Sequence, residues 1–119
     1  MQAVTTVNER TAATTSGESI TLICFRGDIS SASKDVLLNA YHRLGSTVYR
    51  VLLDFTAVDY INSSGIAIII QMLLEAGKAG TRTIGIFGLS PHFQKVFTMV
   101  GINKYAVLYA DENAALAVA

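Results

Sequence analysis

Val51-Leu52-Leu53-Asp54-Phe55-Thr56-Ala57-Val58-Asp59-Tyr60-Ile61-Asn62-Ser63-Ser64-Gly65-Ile66 is the stretch on which the fold turns. Val51-Leu52-Leu53 is an unbroken apolar run. The strand around it, Val48 to Phe55, belongs at the centre of a sheet covered on both faces. A short loop ending at Ile61 or Asn62 then opens a helix from about Ser63 to Lys78. Ile66, Ile69, Ile70 and Leu73 recur at i, i+3, i+4 and i+7 and are read as its inward stripe. Ile68 and Met72 then fall together on another flank, where apolar residues beside the serines would form a docking surface.

Outward from this segment, elements alternate. Val4 to Arg10 is a weak strand candidate, and Thr11 to Gly17 reads as a small-residue loop. Ser19 to Phe25 is a stronger strand with apolar residues on both faces. Ser30-Ser31 caps a helix carrying Val36, Leu37, Ala40, Tyr41 and Leu44, which Gly45 stops. Thr81 to Phe87 is a further strand. Ser90-Pro91 starts a helix with an inward stripe of Phe93, Val96, Phe97 and Val100, ended by Gly101. Tyr105 to Tyr109 is a short strand, and Asp111 caps a final helix with Ala114, Ala115, Leu116 and Val118. Helical crossovers between successive strands require a largely parallel sheet. The first strand joins as an antiparallel neighbour of the second. The expectation is an α/β fold, one domain over residues 1–119, with about four or five strands in a mixed, mostly parallel sheet and about four helices.

Composition narrows the function. The chain has 119 residues, 51% of them hydrophobic and 15% charged, which suits one well-buried core and excludes a disordered chain. Nine basic residues balance nine acidic ones along the chain, so no basic stripe addresses nucleic acid directly. Apolar runs such as Ile66 to Ile70 are far short of a membrane span, and the N-terminus lacks signal-peptide character. The single Cys24 excludes a disulfide framework. It fits a reducing cytoplasm, where it reads as a strand residue.

Catalytic parts are sparse. His42 and His92 fall on different helices, without metal-ligand spacing to other ligands. Asp54 and Asp59 flank a strand end and a loop, and with Ser63 they are the only residues an enzyme reading could use. No base, metal set or cofactor loop accompanies them, so no catalysis, cofactor or metal is expected. Asn62-Ser63-Ser64 has two local readings. It is a plain helix cap, or it is a helix N-terminus at the carboxyl edge of a parallel sheet, where free N–H groups favour an anion such as a phosphate on Ser63.

The same segment resembles the signature of STAS domains, the family of the bacterial anti-sigma factor antagonists. Its pattern is an apolar strand ending in Asp, a short loop, then Asp-Ser-Ser-Gly or Asp-Ser-Thr-Gly opening a helix. Phe25-Arg26-Gly27-Asp28-Ile29 resembles the family's apolar-x-Gly-acid-apolar turn after the second strand. Leu89-Ser90-Pro91 through Val100-Gly101-Ile102 resembles its third helix and Gly-apolar stop. The likeness spans residues 17–118. It implies a non-enzymatic switch in partner-switching control of transcription. A partner that is both serine kinase and anti-sigma factor phosphorylates the first signature serine, and a phosphatase resets it. The unphosphorylated form binds the anti-sigma factor and frees the sigma factor. By position the phosphoacceptor is Ser63. Ser64 is its neighbour, Gly65 lets a partner approach closely, and Asp28 and Asn62 line the same edge.

Two positions depart from the family. Asn62 stands where an acid usually precedes the phosphoserine, and Ser30 stands where a second acid often follows the Gly-acid pair. Fewer negative charges therefore line the site. STAS domains also serve in stress-signalling assemblies and in lipid-transport ATPase complexes. The alternative is thus an unphosphorylated STAS subunit docked on such an assembly. Homodimerisation is left open by the residues.

Overall fold

Strand order decides where everything else sits. The computed structural model describes residues 4–45, 47–79 and 82–117. Its strands are β1 (Thr6–Ala13), β2 (Ser19–Ile29), β3 (Arg50–Ile61), β4 (Thr83–Phe87) and β5 (Val107–Leu108). They lie side by side in chain order in one five-stranded sheet. β1 runs antiparallel to β2, while β2 to β5 are mutually parallel. The helices are α1 (Lys34–His42), α2 (Ser63–Ala79), α3 (Pro91–Met99) and α4 (Glu112–Leu116). Short 3-10 turns at Ser31–Ser33 and Ile102–Lys104 precede α1 and β5.

A sheet whose parallel strands advance in one direction places every crossover helix on the same face, because crossovers share one hand. Accordingly Leu37 of α1, Ile69 of α2 and Phe97 of α3 join Ile23, Leu53, Phe55 and Ile86 in one buried core. The other face has its own smaller core of Ile20, Leu22, Leu52 and Phe87, closed by Ala115 of the five-residue α4. Arg10 of β1 holds α4 in place through its two terminal guanidinium nitrogens on the Glu112 carboxylate. Beyond α4, that face stays open and polar around Asn8, Cys24, Arg26, Asp54 and Thr56.

Several sequence expectations are corrected here. β1 starts later than expected and extends to Ala13, because Thr11, Ala12 and Ala13 complete the ladder opposite Thr21, Ile20 and Ser19. β2 does not end at Phe25. It continues to Ile29, and β3 supplies one extra residue between the partners of Cys24 and Arg26 and another between those of Gly27 and Asp28, so the bulges lie on β3. Gly27 takes φ 89° there, a backbone region that glycine enters without a side-chain clash. β3 likewise runs on to Ile61. The expected loop from Thr56 is strand, paired with β2 alone once the β4 ladder stops at Asp54 and Phe87. On α3 only Phe97 is fully buried, and Val100, the residue after the last turn, is exposed. Thr81 and Val118 lie outside the described residues.

The inward stripe of α2 is also shifted by one residue. Gly65, Ile68, Ile69, Met72, Leu73 and Ala76 face the sheet, while Ile66 and Ile70 sit half-buried on the flank. Ile68 is 7% exposed and Met72 1%. The docking surface expected on these two residues is therefore absent; both belong to the core.

Candidate functional site

The carboxyl ends of β2 and β3 and the start of α2 meet at one edge of the sheet. β3 delivers Tyr60 and Ile61 opposite Asp28 and Ile29 of β2. The chain then turns at Asn62, whose N–H donates to the Ile29 carbonyl at 3.1 Å. Asn62 is also the cap of α2. Its Oδ1 accepts the Gly65 N–H at 2.8 Å, and its carbonyl accepts the Ile66 N–H at 3.0 Å, the first bond of the helix.

With Asn62 as cap, Ser63 is the first helical residue and Ser64 the second. Both are exposed. The side-chain hydrogen bonds of the described residues involve neither hydroxyl, so both are free of capping work. The backbone N–H groups of Ser63 and Ser64 precede the first intrahelical bond and point from the positive end of the α2 dipole. The two local readings of Asn-Ser-Ser thus divide between residues. Asn62 is the cap, and Ser63 and Ser64 are available at an anion-favouring terminus.

Gly65 has a different role from the one the family pattern implies. A Cβ there would lie 2.4 Å from the Ile29 carbonyl oxygen and 2.9 Å from its carbon. The glycine allows α2 to dock against the end of β2 of its own chain. It is buried, so the close approach it provides is internal.

Asp28 is half-buried at the same edge, without an ion-pair partner among the described residues. Ser30, where the family often has an acid, is buried. It accepts the Ala32 N–H and closes a capping box with Ser33, so its hydroxyl does structural work. Asp28, Asn62, Ser63, Ser64 and Gly65 are therefore gathered at one edge, and Ile68 and Met72 are not.

Sequence reasoning missed an aromatic pair beside this loop. Tyr60 is 53% exposed and meets Phe93 edge-to-face at 6.0 Å between ring centroids. Phe93 lies in the first turn of α3, whose cap Ser90 Oγ accepts the Phe93 N–H at 3.2 Å. The pair links the starts of α2 and α3. Its sequence signal was the aromatic residue two positions before the cap Asn62, hidden by the reading of that segment as loop.

The other titratable groups are engaged elsewhere. Asp54 Oδ1 accepts the Thr56 N–H at 2.8 Å, and Oδ2 lies 3.8 Å from Arg10. Asp59 is exposed further along β3. His42 Nε2 meets Glu75 at 2.7 Å across α1 and α2, and His92 packs against Phe93. Burial pushes the Cys24 thiol up, with the Asp54 charge adding to the rise and Arg10 opposing it. Arg10 is held above its ordinary range, chiefly by its hydrogen bond to Glu112. Among the described residues no three metal-ligating side chains converge, and no helix is long and apolar enough to cross a membrane.

A family model described as "Mlab, STAS domain" matches residues 13–109. Similar solved structures include an anti-sigma factor antagonist from Mycobacterium paratuberculosis, with a TM-score of 0.71 at 18% identity over 93% of this chain and 92% of that one. The STAS domain of a SulP transporter from Vibrio cholerae scores 0.62 at 18% identity, over 75% of this chain and 74% of that one. The Bacillus cell fate determinant SpoIIAA in its phosphorylated form scores 0.59 at 16% identity, over 92% of this chain and 96% of that one. At such identities the likeness is one of fold. No curated protein matches the sequence.

Proposed function

The chain belongs to the STAS domain family, and from that premise we propose that it is an anti-sigma factor antagonist, a protein-binding switch set by phosphorylation of Ser63. One observation carries the reading: Asn62 caps α2, which leaves the exposed Ser63 hydroxyl without a structural task at the carboxyl edge of the sheet. A residue so placed can be modified without dismantling the fold. The phosphorylated form of SpoIIAA gives a precedent on the same fold.

The energetics suit a switch. A phosphate adds about −1.5 to −2 charges near neutral pH. The helix dipole and the free N–H groups offset part of that charge within the domain. A partner surface shaped for a neutral hydroxyl has no such compensation and faces both repulsion and desolvation. A loss of about 3 kcal/mol lowers affinity more than a hundredfold, since about 1.4 kcal/mol is tenfold. The partners on this reading are an anti-sigma factor that is also the serine kinase, and a phosphatase. Asp28, Asn62 and Ser64 border the contact. The mechanism needs no catalysis by this chain.

A second reading is favoured by two neutral residues, Asn62 and Ser30, and by a family model described as Mlab. It makes the chain an unmodified subunit docked on another assembly, such as a lipid-transport ATPase or a stress-signalling complex. Affinity capture from the native host with wild type and Ser63→Asp separates the two. The switch reading predicts a kinase-type partner bound by wild type and lost with Ser63→Asp. Equal capture of an ATPase by both forms would replace it with the second reading.

A further inference from the structure

The Ile29 carbonyl is the seat of the serine loop, taking the Asn62 N–H and facing Gly65. What fixes that carbonyl lies one residue earlier. The ladder between β1 and β2 stops at Thr6 and Arg26, so Asp28 is beyond the reach of β1 backbone. Toward β3, Asp28 stands opposite Tyr60, just past the register shift that follows Gly27. A side chain takes the Asp28 carbonyl where β1 backbone does not: Thr5 Oγ1 donates to it at 2.5 Å.

Thr5 Oγ1 also meets Ser33 Oγ at 2.5 Å, and Ser33 Oγ accepts the Ser30 N–H at 2.9 Å. Only one proton order satisfies all three contacts. Thr5 gives its proton to the carbonyl, so Ser33 must give its own to Thr5 and accept from Ser30. Ser33 Oγ also lies 3.4 Å from the same carbonyl, a much longer contact than that of Thr5. Thr5 and Ser33 are 9% and 2% exposed as residues, so each hydroxyl depends on these partners.

We propose that Thr5 and Ser33 are positioning residues for the Ser63 switch. Their hydroxyl chain clamps the end of β2 and thereby sets where the α2 N-terminus, with Ser63 on it, is presented. The consequence for signalling rests on the switch reading above, but the clamp is tested without a partner, so either can fail alone.

The experiment is native-state amide hydrogen exchange on the full chain, for wild type, Thr5→Val, Thr5→Ser and Ser33→Ala. The Leu53 amide in the central strand reports global opening. Thr5→Val keeps the shape and removes the donor. It is expected to speed exchange at Asn62 and Gly65 by about tenfold more than at Leu53, the equivalent of about 1.4 kcal/mol. Thr5→Ser restores wild-type exchange at both. If Thr5→Val does not fold, Ser33→Ala carries the test with the same expected pattern. Asn62 and Gly65 that merely track Leu53, or a Thr5→Ser chain that behaves as Thr5→Val, would overturn the proposal.

Discussion

Gly65→Ala is the substitution whose sign separates a docked helix from a free one. In an unobstructed helix, alanine gains up to about 1 kcal/mol over glycine. Here the new Cβ would sit 2.4 Å from the Ile29 oxygen, whereas ordinary contact begins at 3.4 Å. The obstacle is backbone in a strand end, which cannot swing aside as a flexible side chain can. The start of α2 must therefore retreat by about 1 Å, an overpacking strain worth about 1–3 kcal/mol. That retreat stretches the Asn62 N–H bond to Ile29, now 3.1 Å, and losing it costs about 0.5–1.5 kcal/mol more. Subtracting the propensity gain leaves a net loss of about 0.5–3.5 kcal/mol. Gly45→Ala is the internal control, because nothing lies within 4 Å of a Cβ there and its φ is not positive. It should be neutral or stabilising by up to about 1 kcal/mol. Urea unfolding with a common slope reads both. A Gly65→Ala chain as stable as wild type, or more so, would refute the account of how α2 meets β2.

Ile68→Glu should fail to fold or lose most of its stability, because it puts a charge into the core; circular dichroism with urea titration checks this, and a well-folded variant would return Ile68 to the surface. Leu52→Ala should cost about 2–5 kcal/mol in the same assay by opening the small core under α4. Cys24 should react slowly with a thiol reagent at neutral pH, since burial raises its pKa above 9.0. The same shift has a linkage consequence. Above pH 9.0 the unfolded thiol loses its proton while the folded one retains it, so this group's contribution to stability falls as pH rises; Cys24→Ser should flatten that part of the profile.

The order of strands and helices was legible in the sequence because each signal was local: Val51-Leu52-Leu53, Ser90-Pro91, Asp111 before the alanines. What was not legible was set by register. The run Ile66 to Ile70 offers two inward stripes of equal apolar content, and only the contact of Gly65 with Ile29 selects the one containing Ile68 and Met72. The strand ends at Phe25 and Phe55 were placed too early for a related reason. Gly27-Asp28 and Asp59 read as turn residues, yet β2 and β3 pair with each other through bulges that tolerate them. The serine loop itself was found by its cap chemistry. The Thr5–Ser33 clamp behind it joins residues 28 positions apart and leaves no local pattern.

The central claim is that Ser63 accepts phosphate. It is tested most directly by incubating the folded chain with ATP and its kinase, or a lysate of its native host, and mapping the modified peptide by mass spectrometry. The account predicts a single phosphate on Ser63 and none on the Ser63→Ala chain, whose unfolding curve matches wild type because Asn62, not Ser63, caps α2. Phosphate on Ser64, or no phosphate on either serine, would contradict it.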